Sequence, residues 1–321
     1  MSDAISLSNV SKLYKIPSIY PWRSTKVISA LKNATMTCPD NKITSLLGPN
    51  GAGKTTIIKI LAGLILPDSG NIEIFNKPFI NTTVMQQNKI GLVTPNDRSF
   101  YWRLTGRQNL DFFGSLFGLK GKKRKQVVSE ILNEVDLLKE ADKPFRLYSA
   151  GMRQKLLFAR ALLGNPEILL LDEPTTHIDP IAKDSIHRLI KENFSEKRQT
   201  TILLCTHDLM EAQKLAQKII LIDNGSVIAS GTMSSLRSMI SPSIRILIEF
   251  SKNPIDGWED ALPIDIVCRE DSAIEFIVPD EDIISKTIEA AISGGGKILS
   301  CQRLEEPLFE IFSRLTSRAA S

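Results

Sequence analysis

Short apolar runs alternating with helical stretches predict an α/β fold around a buried, mainly parallel sheet, and three observations carry that prediction. The run ITSLL, residues 43–47, leads directly into a glycine-rich loop, after which Ile57, Ile58, Leu61 and Ile65 recur at helical spacing. Three later runs, ILLLDEP (168–174), TILLCTHD (201–208) and KIILIDNG (218–225), are short enough to be strands and apolar enough to be buried ones. After residue 240 the texture changes, which predicts a second, smaller α+β part.

The elements follow in order. ISLSNVSKLY and VISALKNATMTC read as strands, separated at 16–25 by IPSIYPWRST, whose prolines and serines predict a loop. A helix is predicted over 54–66, stopped by Pro67-Asp68-Ser69-Gly70. From about 100 to 165 the pattern is mainly helical: NLDFFGSLFGL, KQVVSEILNEVDLL and MRQKLLFARALLG. Beyond 240, IRILIEF, DIVCR, AIEFIV and KILSCQ read as strands and IISKTIEAAISGGG as a helix. The expected division is therefore a main domain over 1–240 and an accessory domain over 241–321.

Composition narrows the function. With 42% apolar and 24% charged residues the chain has the make-up of a globular protein, and a net charge of only +4 gives no field suited to nucleic acid. Cys38, Cys205, Cys268 and Cys301 are scattered without metal-ligand spacing, as in a cytoplasmic protein with reduced thiols. The N-terminus lacks the apolar core of a secretory signal. The greasiest stretch, 57–66, is about half a membrane span and contains Lys59. Work at a membrane would require a spanning part from another chain.

The chemistry begins at GPNGAGKTT, formed by Gly48, Pro49, Asn50, Gly51, Ala52, Gly53, Lys54, Thr55 and Thr56. This satisfies the phosphate-loop pattern, in which glycines let backbone N–H groups curl around phosphate oxygens. Lys54 brings a cation to the β- and γ-phosphates, Thr55 offers a hydroxyl to Mg²⁺, and the following helix directs its positive end at the anion. The bland alternative is a solvent-facing glycine turn, but the preceding strand and following helix argue for nucleotide. Asp172 and Glu173 close an apolar strand: Asp172 suits a Mg²⁺ anchor, and Glu173 a group that orients or deprotonates water. A lone histidine is more often structural, yet His207 follows TILLCT at the edge where a parallel sheet presents its ligand.

The stretch YSAGMRQKLLFARALL, 148–163, narrows the phosphate-loop enzymes further. It resembles the signature motif of the ATP-binding cassette (ABC) superfamily, with Ser149 lying 23 residues before Asp172, and the resemblance covers about residues 5–235. It implies a P-loop NTPase (RecA-like) core, an N-terminal antiparallel β subdomain and a helical signature subdomain at about 97–165. It also implies that two cassettes sandwich two ATP molecules. Tyr14 then resembles the aromatic that stacks on adenine, with Tyr20 or Trp22 as alternatives. Ser149, Ala150 and Gly151 match the signature that reaches the γ-phosphate held by the other subunit. Asp179 falls in the dimer-contact loop at 177–179, Asp172 and Glu173 match the Mg²⁺ and catalytic carboxylates, and His207 matches the switch histidine.

Three departures stand out. The signature reads Tyr148-Ser149-Ala150-Gly151-Met152 instead of Leu-Ser-Gly-Gly-Gln, a variant that resembles drug and polysaccharide exporters. The loop near 90–99 lacks the family's sensing glutamine, with Pro95 and Asn96 at that position; Asn96 offers a shorter amide. His177 replaces the usual glycine of the dimer loop.

The function expected from the resemblance is an ATP-hydrolysing transporter subunit, cytoplasmic and peripheral on the inner face of the cell membrane. It would pair with itself or a related cassette, serve a separate integral membrane permease and drive export. Tyr101, Trp102 and Arg103 are candidates for the permease contact, whereas Lys120–Lys125 reads as a solvated loop. A cassette acting on DNA or ribosomes is the competing class. DNA-repair members carry a long insertion between phosphate loop and signature, but only 94 residues separate Lys54 from Tyr148; ribosome-acting members usually carry two cassettes, and one is present here. A P-loop kinase leaves the signature unexplained.

Overall fold

Three strands are buried at every position: β3 (Ile43–Leu47), β7 (Ile168–Asp172) and β8 (Thr201–Thr206). Continuous burial is what a parallel strand with both faces covered requires. The computed structural model describes residues 2–16, 26–79, 89–95, 99–239, 244–260 and 262–304. In it, these strands join β6 (Ile90–Val93), β9 (Lys218–Asp223) and β10 (Ser226–Gly231) in a six-stranded sheet ordered β10-β9-β3-β8-β7-β6. All neighbours are parallel except β9 and β10.

Alternation along the strands divides the interior in two. Ile168, Leu170, Leu203 and Cys205 join one core with Ile57, Ile58 and Leu61 of helix α1 (Lys54–Leu61). Leu169, Leu171, Ile202 and Leu204 join a second core with the helical region. There, α2 (Gly106–Leu116) starts from a capping box of Thr105 and Gln108, followed by α3 (Gly121–Glu134) and α4 (Ala150–Leu162). The first core is closed by an antiparallel sheet of β1 (Asp3–Ile16), β2 (Lys26–Pro39), β4 (Ser69–Ile74) and β5 (Lys77–Pro78), ordered β2-β1-β4-β5. The expected core, antiparallel β subdomain and helical region are thus all present.

Three expectations are corrected, the first being that Ile90–Val93, in the stretch expected as a loop near 90–99, is strand β6, paired with β7. Helix α1 ends at Leu61 instead of residue 66: Gly63 turns left-handed (φ +71°), and Leu64 N–H bonds back to Lys59 O at 2.9 Å. This is how glycine closes helices, and it leaves Leu64 and Leu66 exposed. The basic run is not a loop, because Gly121 to Lys125 form the first turn of α3, with Arg124 paired to Asp111 at 2.7 Å.

The chain divides into two compact units, Met1–Met233 and Ser234–Ser321. In the second, β11 (Ile244–Lys252), β12 (Asp265–Glu270), β13 (Ala273–Val278) and β14 (Lys297–Leu304) form an antiparallel sheet ordered β12-β13-β11-β14. Helix α7 (Glu281–Ser293), capped by Asp280, contributes Ile283 and Ala291 to a core with Ile246, Ile248 and Phe276. The unit therefore has an apolar core of its own. Cys38 and Cys205 are buried, Cys268 and Cys301 exposed, and all four are free thiols.

Candidate active site

Register brings the predicted residues to one edge. Leu47 pairs with Thr206 and Leu221, and Asp172 pairs with Cys205. The carboxyl ends of β3, β7 and β8 therefore lie side by side, and the glycine loop, Asp172-Glu173 and His207 emerge together. Ligands of parallel sheets bind at that edge.

The loop needs its glycines for two separate reasons. A Cβ on Gly48 would stand 2.2 Å from Ile222 O. Gly53 has φ +109°, and its Cβ would stand 2.7 Å from Ala30 O, so both backbone angle and space exclude a side chain. Gly225 N–H holds Ala52 O at 3.0 Å, and Ala52 N–H holds Pro49 O at 3.2 Å. Gly48, Ala52 and Gly53 are buried, whereas Pro49, Asn50, Gly51 and Thr55 are exposed and Thr56 half-buried. No side chain caps α1 and no acid occupies its first turn, which leaves its N–H groups for an anion. Lys54 is buried and donates to Gly48 O at 2.7 Å and Pro49 O at 3.0 Å.

Asp172 and Glu173 divide the acidic work. Asp172 Oδ1 accepts from Thr55 Oγ1 at 3.3 Å. Burial pushes its carboxyl above the usual carboxylate range, although the Thr55 hydrogen bond opposes the shift. Glu173 takes a left-handed backbone (φ +50°), held by its N–H on Cys205 O at 2.9 Å. Such a conformation costs about 1–3 kcal/mol in a non-glycine residue and is characteristic of functional sites. Its Oε2 meets Thr176 Oγ1 at 3.1 Å and His207 Nδ1 at 2.7 Å. Its Oε1 lies 3.7 Å from Lys54 Nζ and is buried without a hydrogen-bond partner among the described residues. His207 itself is half exposed.

Ser149 is exposed and caps α4, its Oγ accepting from Met152 N at 3.2 Å. Ala150 is exposed, while Gly151 is buried: a Cβ there would stand 2.8 Å from the Cβ of Ala182 on α5 (Pro180–Arg188). Asp179 caps α5 through Ala182 N at 3.0 Å. The signature helix thus packs against the helix that the dimer-loop residue starts. Two sequence departures have a structural account. Tyr148 is buried, its hydroxyl donates to Glu140 O at 2.9 Å, and it occupies space that Gly106 leaves by lacking a side chain. Burial raises the Tyr148 phenol to about 12. His177 keeps the left-handed backbone natural to glycine (φ +61°).

Tyr14 lies half-buried on β1, paired with Ile28 of β2, the strand whose Ala30 abuts Gly53. Tyr20, Trp22 and Asn96 lie outside the described residues.

A buried polar cluster behind the edge was not predicted. Glu211, on α6 (Leu209–Leu215), is 1% exposed. Its Oε1 accepts from Thr175 Oγ1 at 2.7 Å and meets His187 Nε2 at 3.1 Å, and it also bonds the Thr206 hydroxyl. Burial raises its carboxyl, but these hydrogen bonds prevail and hold it below the usual range. The available signal was an acid four residues after His207, on a face otherwise made of Ala212 and Leu215.

Residues 31–176 match the ABC transporter family. The chain is 30% identical over 288 residues to the ABC transporter ATP-binding protein YxlF of Bacillus subtilis, covering 89% of this chain and 94% of that one. That coverage exceeds the 233 residues of the first unit, so the likeness extends into the second. Over 191 residues it is 37% identical to a Nod factor export ATP-binding protein of a Rhizobium species, covering 60% of this chain and 62% of that one. Among solved structures, a dimeric ATP-binding cassette in a post-hydrolysis state with ADP and Pi superposes with a TM-score of 0.61 at 28% identity, covering 71% of this chain and 98% of that one. The chain belongs to the ATP-binding subunits of ABC transporters, and it is an ATPase.

Proposed function

We propose that this subunit hydrolyses ATP at a site completed by a second cassette and thereby drives export through a separate membrane permease. The observation that carries the catalytic part is the convergence of Lys54, Asp172, Glu173 and His207 on one sheet edge, with Glu173 Oε1 unpartnered beside Lys54 Nζ. Glu173 Oε1 takes the proton of the attacking water, whose oxygen bonds to the γ-phosphorus as the bond to ADP breaks. Thr176 and His207 hold the other oxygen and fix the carboxylate. The loop N–H groups and Lys54 bind the phosphates, and Tyr14 flanks the base.

Thr55 and Asp172 suit Mg²⁺: one hydroxyl and one buried carboxylate form the sparse oxygen set that this ion takes when substrate phosphates and water complete its shell. When bound, Mg²⁺ neutralises charge on the phosphate oxygens. Ser149, Ala150 and Gly151 present a helix N-terminus to the nucleotide of the partner cassette, with Asp179 beside the same interface.

Export is favoured by the exporter-like signature and by the Nod factor export relative. A separate permease fits the finding that no helix of the described residues is long and apolar enough to cross a membrane. Tyr101 and Trp102, each half exposed, offer with Arg103 a surface for it, and docking would place the subunit at the inner membrane face. To test this, tagged Glu173→Gln protein is recovered from detergent-solubilised membranes and its companions identified by mass spectrometry. A stoichiometric multi-span protein is expected; recovery with only ribosomal or DNA-processing partners would overturn the reading.

Residues 241–321 are proposed as an accessory domain. Removing them is expected to leave a folded, nucleotide-dependent ATPase with a cooperative melt, because each unit has its own core. An insoluble product would make the tail part of the main domain.

A further inference from the structure

We infer that Glu211 is a positioning residue that ties the loop carrying Glu173 to the loop carrying His207 and to the helix behind the dimer loop. The inference rests on the catalytic reading of Glu173 given above. Its basis is one buried carboxylate that reaches three elements. Thr175 stands two residues after Glu173, Thr206 directly before His207, and His187 on the helix that Asp179 caps.

The arrangement is more specific than packing requires. Burying a carboxylate is unfavourable unless its oxygens are satisfied, and an apolar side chain on α6 would fill the same space without that cost. The cluster therefore trades ease of burial for direction. Hydrogen bonds to a charged acceptor are shorter and stronger than neutral ones, and they fix donor positions that apolar contacts leave free. The Thr206 hydroxyl also accepts from Asp208 N at 3.0 Å, and Asp208 Oδ1 accepts from Glu211 N at 3.1 Å. Its Oδ2 pairs with Lys183 of α5. The α5–α6 contact is thus stitched at two points, one buried and one half-buried.

The catalytic pair lies one step away. Glu173 Oε2 receives His207 Nδ1 at 2.7 Å, a contact between the same two loops that Glu211 joins from behind. If the loops drift apart, that contact lengthens and Oε1 loses its aim, whereas the phosphate loop on β3 and α1 is untouched. Glu211 should therefore act on turnover and not on nucleotide affinity, and ångström-scale misplacement of a catalytic group can cost up to about 10²-fold in rate.

The test uses the full chain and compares Glu211→Gln, Thr175→Val, their double variant and Glu173→Gln in one assay. Glu211→Gln keeps shape and volume but removes the charge. The expected result is a fall in kcat of about tenfold, with KM for ATP and equilibrium ATP affinity within twofold of the parent. Thr175→Val should lower kcat by a smaller factor, and the double variant should lose less than the product of the two single losses, because both act through one hydrogen bond. Unchanged kcat in Glu211→Gln, beside an inactive Glu173→Gln, overturns the positioning role alone. A fall in ATP affinity equal to the fall in kcat overturns it too, since general loosening of the site would do that. Retained turnover in Glu173→Gln removes the catalytic reading and this inference with it.

Discussion

Glu173→Gln is expected to lower kcat for ATP hydrolysis by at least about 10²-fold while leaving ATP bound as tightly as in the parent or more tightly. The amide keeps the shape of the carboxylate and can still bond Thr176 and His207, so the loop stays in place. What it loses is the unpartnered Oε1 as a proton acceptor. It also removes a negative charge 3.7 Å from Lys54 and beside Asp172, which eases the approach of a polyanion. Phosphate release under saturating ATP, with affinity measured separately, distinguishes the two effects. Undiminished release would remove Glu173 from catalysis.

Lys54→Ala is expected to fail earlier, at binding, with ATP affinity lowered by at least about tenfold. Lys54 is not a free surface cation awaiting a ligand. It is buried and already serves Gly48 O and Pro49 O, so it holds the loop in its phosphate-ready curve before nucleotide arrives. Removing it leaves a buried carbonyl without its donor, and the nucleotide-free protein should lose about 1–3 kcal/mol of stability. Denaturant melts without nucleotide and equilibrium ATP titrations give the two numbers. Normal affinity in this variant would count against the phosphate-loop assignment.

The parts of this account that were legible in the sequence depend on local geometry. The loop at 48–56 could be read because each residue type has a steric or electrostatic duty within a few bonds, as Gly53 shows with its left-handed angle and its contact with Ala30. Strands β3, β7 and β8 could be read because burial on both faces imposes continuous apolar runs. Strand β6 has only four residues, IGLV, and lay within what read as a loop; its pairing with β7 decides its state. The end of α1 is hidden in the sequence, because Ile65 continues the helical spacing while Gly63 closes the helix. Lys120–Lys125 suggested a loop by its charge, yet α3 begins there and leaves most of these side chains in solvent. Glu211 was invisible for a different reason. Its partners Thr175, His187 and Thr206 are 36, 24 and 5 residues away in sequence, and only the packing of α5, α6, β7 and β8 brings them to one carboxylate.

In the proposed mechanism ATP joins two of these cassettes, and hydrolysis through Glu173 ends the union. The most direct measurement is the solution mass of the Glu173→Gln protein by light scattering, without nucleotide, with ATP and with ADP, each with Mg²⁺. A single 35.7 kDa chain is expected without nucleotide and with ADP, and a doubled mass with ATP that persists because turnover is blocked. A mass that stays at one chain with saturating ATP bound would contradict that mechanism.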